Sequence, residues 1–185
     1  MRKIRSSRGF TLVELMVAVA VLAILAVIAT VSYSKYIRKA RTTEAITFLA
    51  DIKMKQETYH QTYGMYIKTS SADNAISDAD FYPKTKNSDG FYKWEMKCPE
   101  DKGSFPGWCA LGSRPTAEEG SYQYVTVGWQ PQDPPVAAPG AKYIKDATRR
   151  WWFAEARGDL DENNIFSTFR LSSELTQVVF WNENE

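Results

Sequence analysis

Apolar residues fill positions 10–31 almost without interruption: 22 residues hold one ionisable side chain, Glu14, and neither proline nor glycine. As a helix this run measures roughly 33 Å, enough to cross the ~30 Å hydrocarbon core of a bilayer. Beyond it the pattern turns amphipathic. Ala45, Phe48, Leu49, Ile52, Tyr59 and Tyr63 recur at spacings of three, four or seven with Gln56 on the same face, and Gly64 supplies a stop signal. The spacing predicts one helix of about 54 residues, its first half bare and its second half packed on a domain.

The period then changes. Residues 68–90 are polar and read as an extended, exposed connection, with a short helix around 78–82. Residues 91–96 alternate with Tyr92, Trp94 and Met96 on one side, residues 121–129 alternate again, and residues 108–111, 150–156, 166–171 and 178–181 are further short strand signals. Residues 131–139 carry four prolines, which excludes a central strand and predicts a surface loop. Short strands between turn residues imply an antiparallel sheet, and packing it on the amphipathic half of the helix gives an α+β domain. Length agrees: of 185 residues, roughly 120 remain after the helix, the size of one small domain.

Charge alters the picture at two places. Residues 1–9 carry Arg2, Lys3, Arg5 and Arg8 with no acid, the signature of a segment retained in the cytoplasm. The small-residue junction at Gly9 precedes the apolar run, whereas an ordinary secretory signal is cut after it. A cut there removes the leader, keeps the whole helix and leaves 176 residues with 19 basic against 22 acidic side chains. That balance gives no basis for a nucleic-acid partner. Lys35, Arg38, Lys39 and Arg41 cluster where the apolar run ends, either to meet anionic lipid headgroups or to solvate the helix. Glu14 itself is costly inside an apolar helix, on the order of 2.5 kcal/mol or more in lipid, and calls for a partner. No basic residue lies between positions 10 and 34, so the nearest cation is the α-amino group that a cut after Gly9 would create on Phe10.

Arg8-Gly9-Phe10-Thr11-Leu12-Val13-Glu14-Leu15-Met16 resembles the class III signal of type IV pilins and of the related type II secretion pseudopilins. The likeness extends with less force to about residue 66. It implies three parts: a leader, 1–9, removed by prepilin peptidase; a transmembrane and assembly half of the helix, 10–34; and a pilin head, 35–185. It further implies that Gly9 precedes the cut and that Phe10 is the new, N-methylated terminus. Glu14 would then meet the Phe10 amine of a neighbouring subunit during assembly. Where many members carry a helix-bending proline, this chain has Val31. The implied life history is insertion in the bacterial inner membrane, then polymerisation into an extracellular pilus by an inner-membrane assembly machinery. A pseudopilin of a type II secretion system, remaining in the periplasm, shares the same N-terminus. A membrane-anchored binding module that never polymerises is the alternative from another class.

The remaining chemistry is sparse. One histidine, His60, and two cysteines assemble neither a Ser-His-Asp nor a Cys-His centre, and no Gly-rich phosphate loop or metal-binding histidine pair occurs, so no enzyme is expected. Glu118 and Glu119 sit in a Gly-bounded loop and read as solvated. Cys98 and Cys109, 11 positions apart, read as a disulfide outside the cytoplasm. Asp159, Asp161 and Asn163 occupy the first, third and fifth slots of a calcium loop, but Asn164 stands in the usual glycine slot and Arg170 in the place of the bidentate glutamate. Both a calcium site and an Asp/Asn turn between strands fit this pattern. Trp151, Trp152, Phe153, Tyr122, Tyr124 and Trp129 supply either the core of a small sheet or an adhesive patch.

Overall fold

The computed structural model describes residues 9–69, 76–98, 106–131, 133 and 143–182. Two compact units divide it, Met1–Ile37 and Arg38–Glu185. One helix, α1 (Leu12–Tyr63), supplies residues to both, and it is helical through position 31. Its C-terminal end is the one the sequence signals: Gly64 takes φ +72° and donates its N–H to the His60 carbonyl at 2.8 Å.

In the second unit α1 meets a four-stranded antiparallel meander of β3 (Gln123–Trp129), β4 (Trp151–Gly158), β5 (Ser167–Ser172) and β6 (Val179–Trp181), in that spatial order. A two-residue ladder joins β1 (Tyr92–Lys93) to β2 (Glu119–Gly120). The arrangement is α+β, a long helix on a small antiparallel sheet. Ala45, Phe48, Leu49 and Ile52 are buried against Tyr124, Trp152, Ala154, Ala156, Phe169 and Leu171, one residue in two along three strands. Tyr59 is only half buried and Tyr63 stays exposed, their rings tilted against each other with centroids 4.5 Å apart. The expected apolar stripe therefore ends at Gln56.

Polar side chains of α1 lock this packing. Gln56 is fully buried; its amide donates to the Ile67 carbonyl at 2.7 Å and to Thr126 Oγ1 at 3.0 Å, while its oxygen accepts the Ile67 N–H at 3.0 Å. Each such buried group costs about 1–3 kcal/mol if left unmet. Glu57 accepts the Trp152 indole N–H at 2.9 Å and the Tyr66 hydroxyl at 3.4 Å. Burial and that carboxylate push the Tyr66 phenol up to about 12.

Several expectations are corrected. Residues 121–129 alternate as expected for a strand, and every residue of β3 is buried, on both faces. Its second face is covered from far away in sequence: Phe81 and Ile76 pack on Val125 and Val127, while Tyr143 and Ile144 pack against Trp129, Trp151 and Phe153. The expected exposed connection, 68–90, is thus partly structural. Thr69 and Tyr82 hydrogen-bond to the outer edge of β3 at Thr126 and Tyr124, and Asp80 and Phe81 are buried. Its short helix is a 3₁₀ turn, Asp78–Asp80; residues 70–75 lie outside the described residues, as does most of the proline-rich loop at 131–139.

The strand expected at 108–111 is instead a helix, α2 (Pro106–Leu111). Proline stands at its first position and Gly112, at φ +67°, just past its last, so both ends carry helix punctuation. Gly107 allows α2 to abut the chain at Lys68, whose carbonyl oxygen lies 2.0 Å from where a Cβ would be. Residues 91–96 keep the expected alternation of burial at Tyr92, Trp94 and Met96, but only two of them form a ladder. The large aromatics are core: Trp151, Trp152, Phe153, Tyr122, Tyr124 and Trp129 are all buried.

Candidate functional site

Gly9 and Phe10 precede the first turn of α1 as exposed, non-helical residues. The helix opens on Thr11, whose backbone N–H and hydroxyl donate to Glu14 Oε2 at 3.0 and 2.8 Å, while the Glu14 N–H donates to Thr11 Oγ1 at 3.3 Å. This is a reciprocal capping box, and it satisfies donors that every helix N-terminus leaves open. The carboxylate also lies where the helix dipole favours negative charge. Glu14 therefore has a partner within its own chain that the sequence reading did not assign. The Thr-x-x-Glu spacing was the signal for it.

Past this cap the helix surface is bare. Leu12–Thr30 is long and apolar enough to cross a membrane and has none of its length buried within the chain. From Leu12 to Ile28 its large apolar side chains are between 50% and 74% exposed, the kind of apolar surface that marks an interaction site. At the basic cluster, Arg38 lies 3.4 Å from Asp161, and the Arg41 guanidinium sits 5.0 Å from the Phe91 ring centre. Lys39 is exposed.

The 159–164 loop between β4 and β5 is closed by the chain itself. The two Asp159 oxygens accept the N–H groups of Asn163 and Asn164 at 3.2 and 3.0 Å. Asp161 Oδ2 accepts from the Asn163 amide at 3.2 Å and from Arg38 at 3.4 Å, and Asn163 Oδ1 accepts the Ile165 N–H at 2.6 Å. Asn164 takes φ +66°, the left-handed conformation that the turn needs. Asp159, Asp161 and Asn163 thus accept N–H donors and one guanidinium in an Asp/Asn turn between the strands.

Cys98 and Cys109 form a disulfide that ties α2 to the segment following β1. Nearby Ser113 donates its hydroxyl to Asp51 of α1. Glu118 pairs with Arg114 at 3.1 Å on the surface, and the Glu119 side chain is exposed.

Residues 4–30 match the family model for the prokaryotic N-terminal methylation motif. Over 75 residues the chain is 40% identical to the type IV pilus subunit protein TapA of Aeromonas hydrophila, a match covering 40% of this chain and 53% of that protein. The chain thus spans about half the length of the curated relative that it matches.

Proposed function

We propose that this chain, whose residues 4–30 match the N-terminal methylation motif and which is similar over 75 residues to a type IV pilus subunit protein, is a pilin subunit of a type IV pilus. The leader, 1–9, is removed by prepilin peptidase after Gly9; Phe10 becomes the N-methylated terminus; and the helix half, 10–34, polymerises while the head, 35–185, faces outward. One observation carries this reading. The methylation motif ends in a helix whose apolar side chains find no cover within the chain, with an acid in its first turn. A carboxylate in an apolar bundle is disfavoured unless it gains a counter-charge. The Phe10 amine of a neighbouring subunit supplies one, and that pairing selects the axial register.

Intact mass and N-terminal sequencing of sheared surface fibres and of membranes from the same cells test the proposal. The expected species in fibres starts at methylated Phe10. Processed chain found only in the membrane fraction favours the pseudopilin or the non-polymerising module, and an uncut Met1 start overturns the processing step. For the 159–164 loop we propose the turn rather than calcium binding, because its oxygens are already engaged.

A further inference from the structure

Between α1 and residues 114–119 the head holds an open groove of about 510 Å³. Thr43, Glu44, Thr47 and Asp51 of α1 line one side, one helical stripe at spacings of three and four, and Arg114 and Glu119 line the other. Asp51 and Glu119 carry the acid of this lining, because both Glu44 oxygens are held by Ser121 and Tyr124, and the one guanidinium, Arg114, pairs with Glu118 on the rim. The groove is therefore an acidic slot with an apolar floor at Phe48.

The complementary charge lies on the same helix, one step earlier. Residues 35–41 hold four basic side chains and no acid, and residues 42–52 hold Glu44 and Asp51 and no base. Copies anchored by the same basic leader enter a membrane in one orientation, so neighbouring α1 helices are parallel. In register they set acidic slot against acidic slot, which is repulsive. An axial offset exchanges this for attraction. From Lys39 to Thr47, at the middle of the slot, is eight residues, or about 12 Å along the helix.

We infer that this groove receives Lys39 of a second copy of the chain, the two α1 helices lying parallel and offset by about eight residues. A lysine suits the slot because its stem covers apolar surface while its ammonium reaches the carboxylates. Knob and slot are different surfaces of one molecule, so the contact is heterologous: each copy offers both and the series continues as a filament. The inference rests on the fibre reading above and adds to it a second determinant of register, in the head.

Treating sheared fibres with a water-soluble carbodiimide joins touching amines and carboxylates, and peptide mass spectrometry identifies the joined pair. Within one copy Lys39 and Asp51 are about 18 Å apart along the helix, so a Lys39 to Asp51 link arises only between copies. The expected result is that link in fibres and its absence from detergent-dispersed subunits. Fibres in which Lys39 links elsewhere, or to nothing, overturn the inference and leave the fibre reading standing. A chain never recovered in sheared fibres overturns both. Charge exchange at two exposed positions is the second arm: Lys39→Glu lowers fibre-borne subunit about tenfold, and adding Thr47→Lys restores it. Failure of the double variant to recover, with both variants stable in the membrane, counts against the contact.

Discussion

The Glu44 carboxylate accepts the Tyr124 hydroxyl at 3.0 Å, and its other oxygen accepts the Ser121 N–H at 3.0 Å. A charged group on α1 thereby pins the helix to the start of β3. Gly120 makes room for it: a Cβ there would lie 2.3 Å from Glu44 Oε1. Burial outweighs these hydrogen bonds and pushes the Glu44 carboxyl above its ordinary value, while burial and the neighbouring Glu44 charge drive the Tyr124 phenol well upward.

A pH dependence follows, with a definite sign. A raised folded pKa means that the contribution of Glu44 is fully present below its unfolded value and is lost as pH rises through the folded one. Asp78 and Asp146 run the other way: hydrogen bonds from Arg157 and Thr148 lower them, so their contributions are lost as pH falls through their folded values, below the ordinary aspartate range. Thermal melts of the detergent-solubilised chain should show the stability of the parent relative to Glu44→Gln falling as pH rises from the ordinary glutamate range through the raised folded value. A difference that stays constant as pH rises would refute the assignment. Glu44→Ala, which leaves both donors unmet, should cost about 1–3 kcal/mol.

Glu14→Val should leave the cut after Gly9 intact and lower recovery in sheared fibres by at least about tenfold, given the several kcal/mol that an uncompensated buried charge or its lost pairing represents. Immunoblots of membrane and fibre fractions read both steps at once. Normal fibre yield from the valine variant would remove Glu14 from assembly.

Breaking the bond between Cys98 and Cys109 releases a loop of 11 positions, worth about 3 kcal/mol in the chain-entropy model. Cys98→Ser with Cys109→Ser should melt roughly 6–12 °C below the parent, at about 2–4 °C per kcal/mol for a domain of this size. Adding reductant should lower the parent and leave the variant unchanged.

Millimolar calcium, or its removal by chelator, should leave the melting temperature unchanged to within about 1 °C. A ligand present at one hundred times its dissociation constant would add about 2.7 kcal/mol. A clear rise with calcium that Asp159→Ala abolishes would reinstate the loop as a cation site.

The long helix and the strands from β3 onward were legible because their signals are local: unbroken helix-formers ending at Gly64, and alternation over six to nine residues. What failed was non-local or short. The run at Trp108 fits a strand and a helix equally by pattern, although Pro106 and Gly112 marked the helix ends. The second covered face of β3 depends on Phe81, which lies far upstream of Val125 and Val127, and on Tyr143, which follows Trp129 beyond the proline-rich loop, and no periodicity within β3 announces them. Glu44 and Glu57 flank the apolar stripe of α1, and nothing in the pattern distinguishes them from solvated carboxylates. Of the candidate sites, the Gly9, Phe10 and Glu14 register was readable from the motif, and the Thr11 cap was readable in principle from its spacing to Glu14.

Thr69 and Tyr82 occupy the outer edge of β3, taking up its Tyr124 and Thr126 backbone groups. An unsealed strand edge is a template on which further chains add, the route to amyloid-like ribbons. At the other end of the meander stands β6, three residues long. Among the described residues the four-stranded sheet therefore keeps one brief open edge, and a ribbon needs two, so growth through this sheet is blocked at its second step.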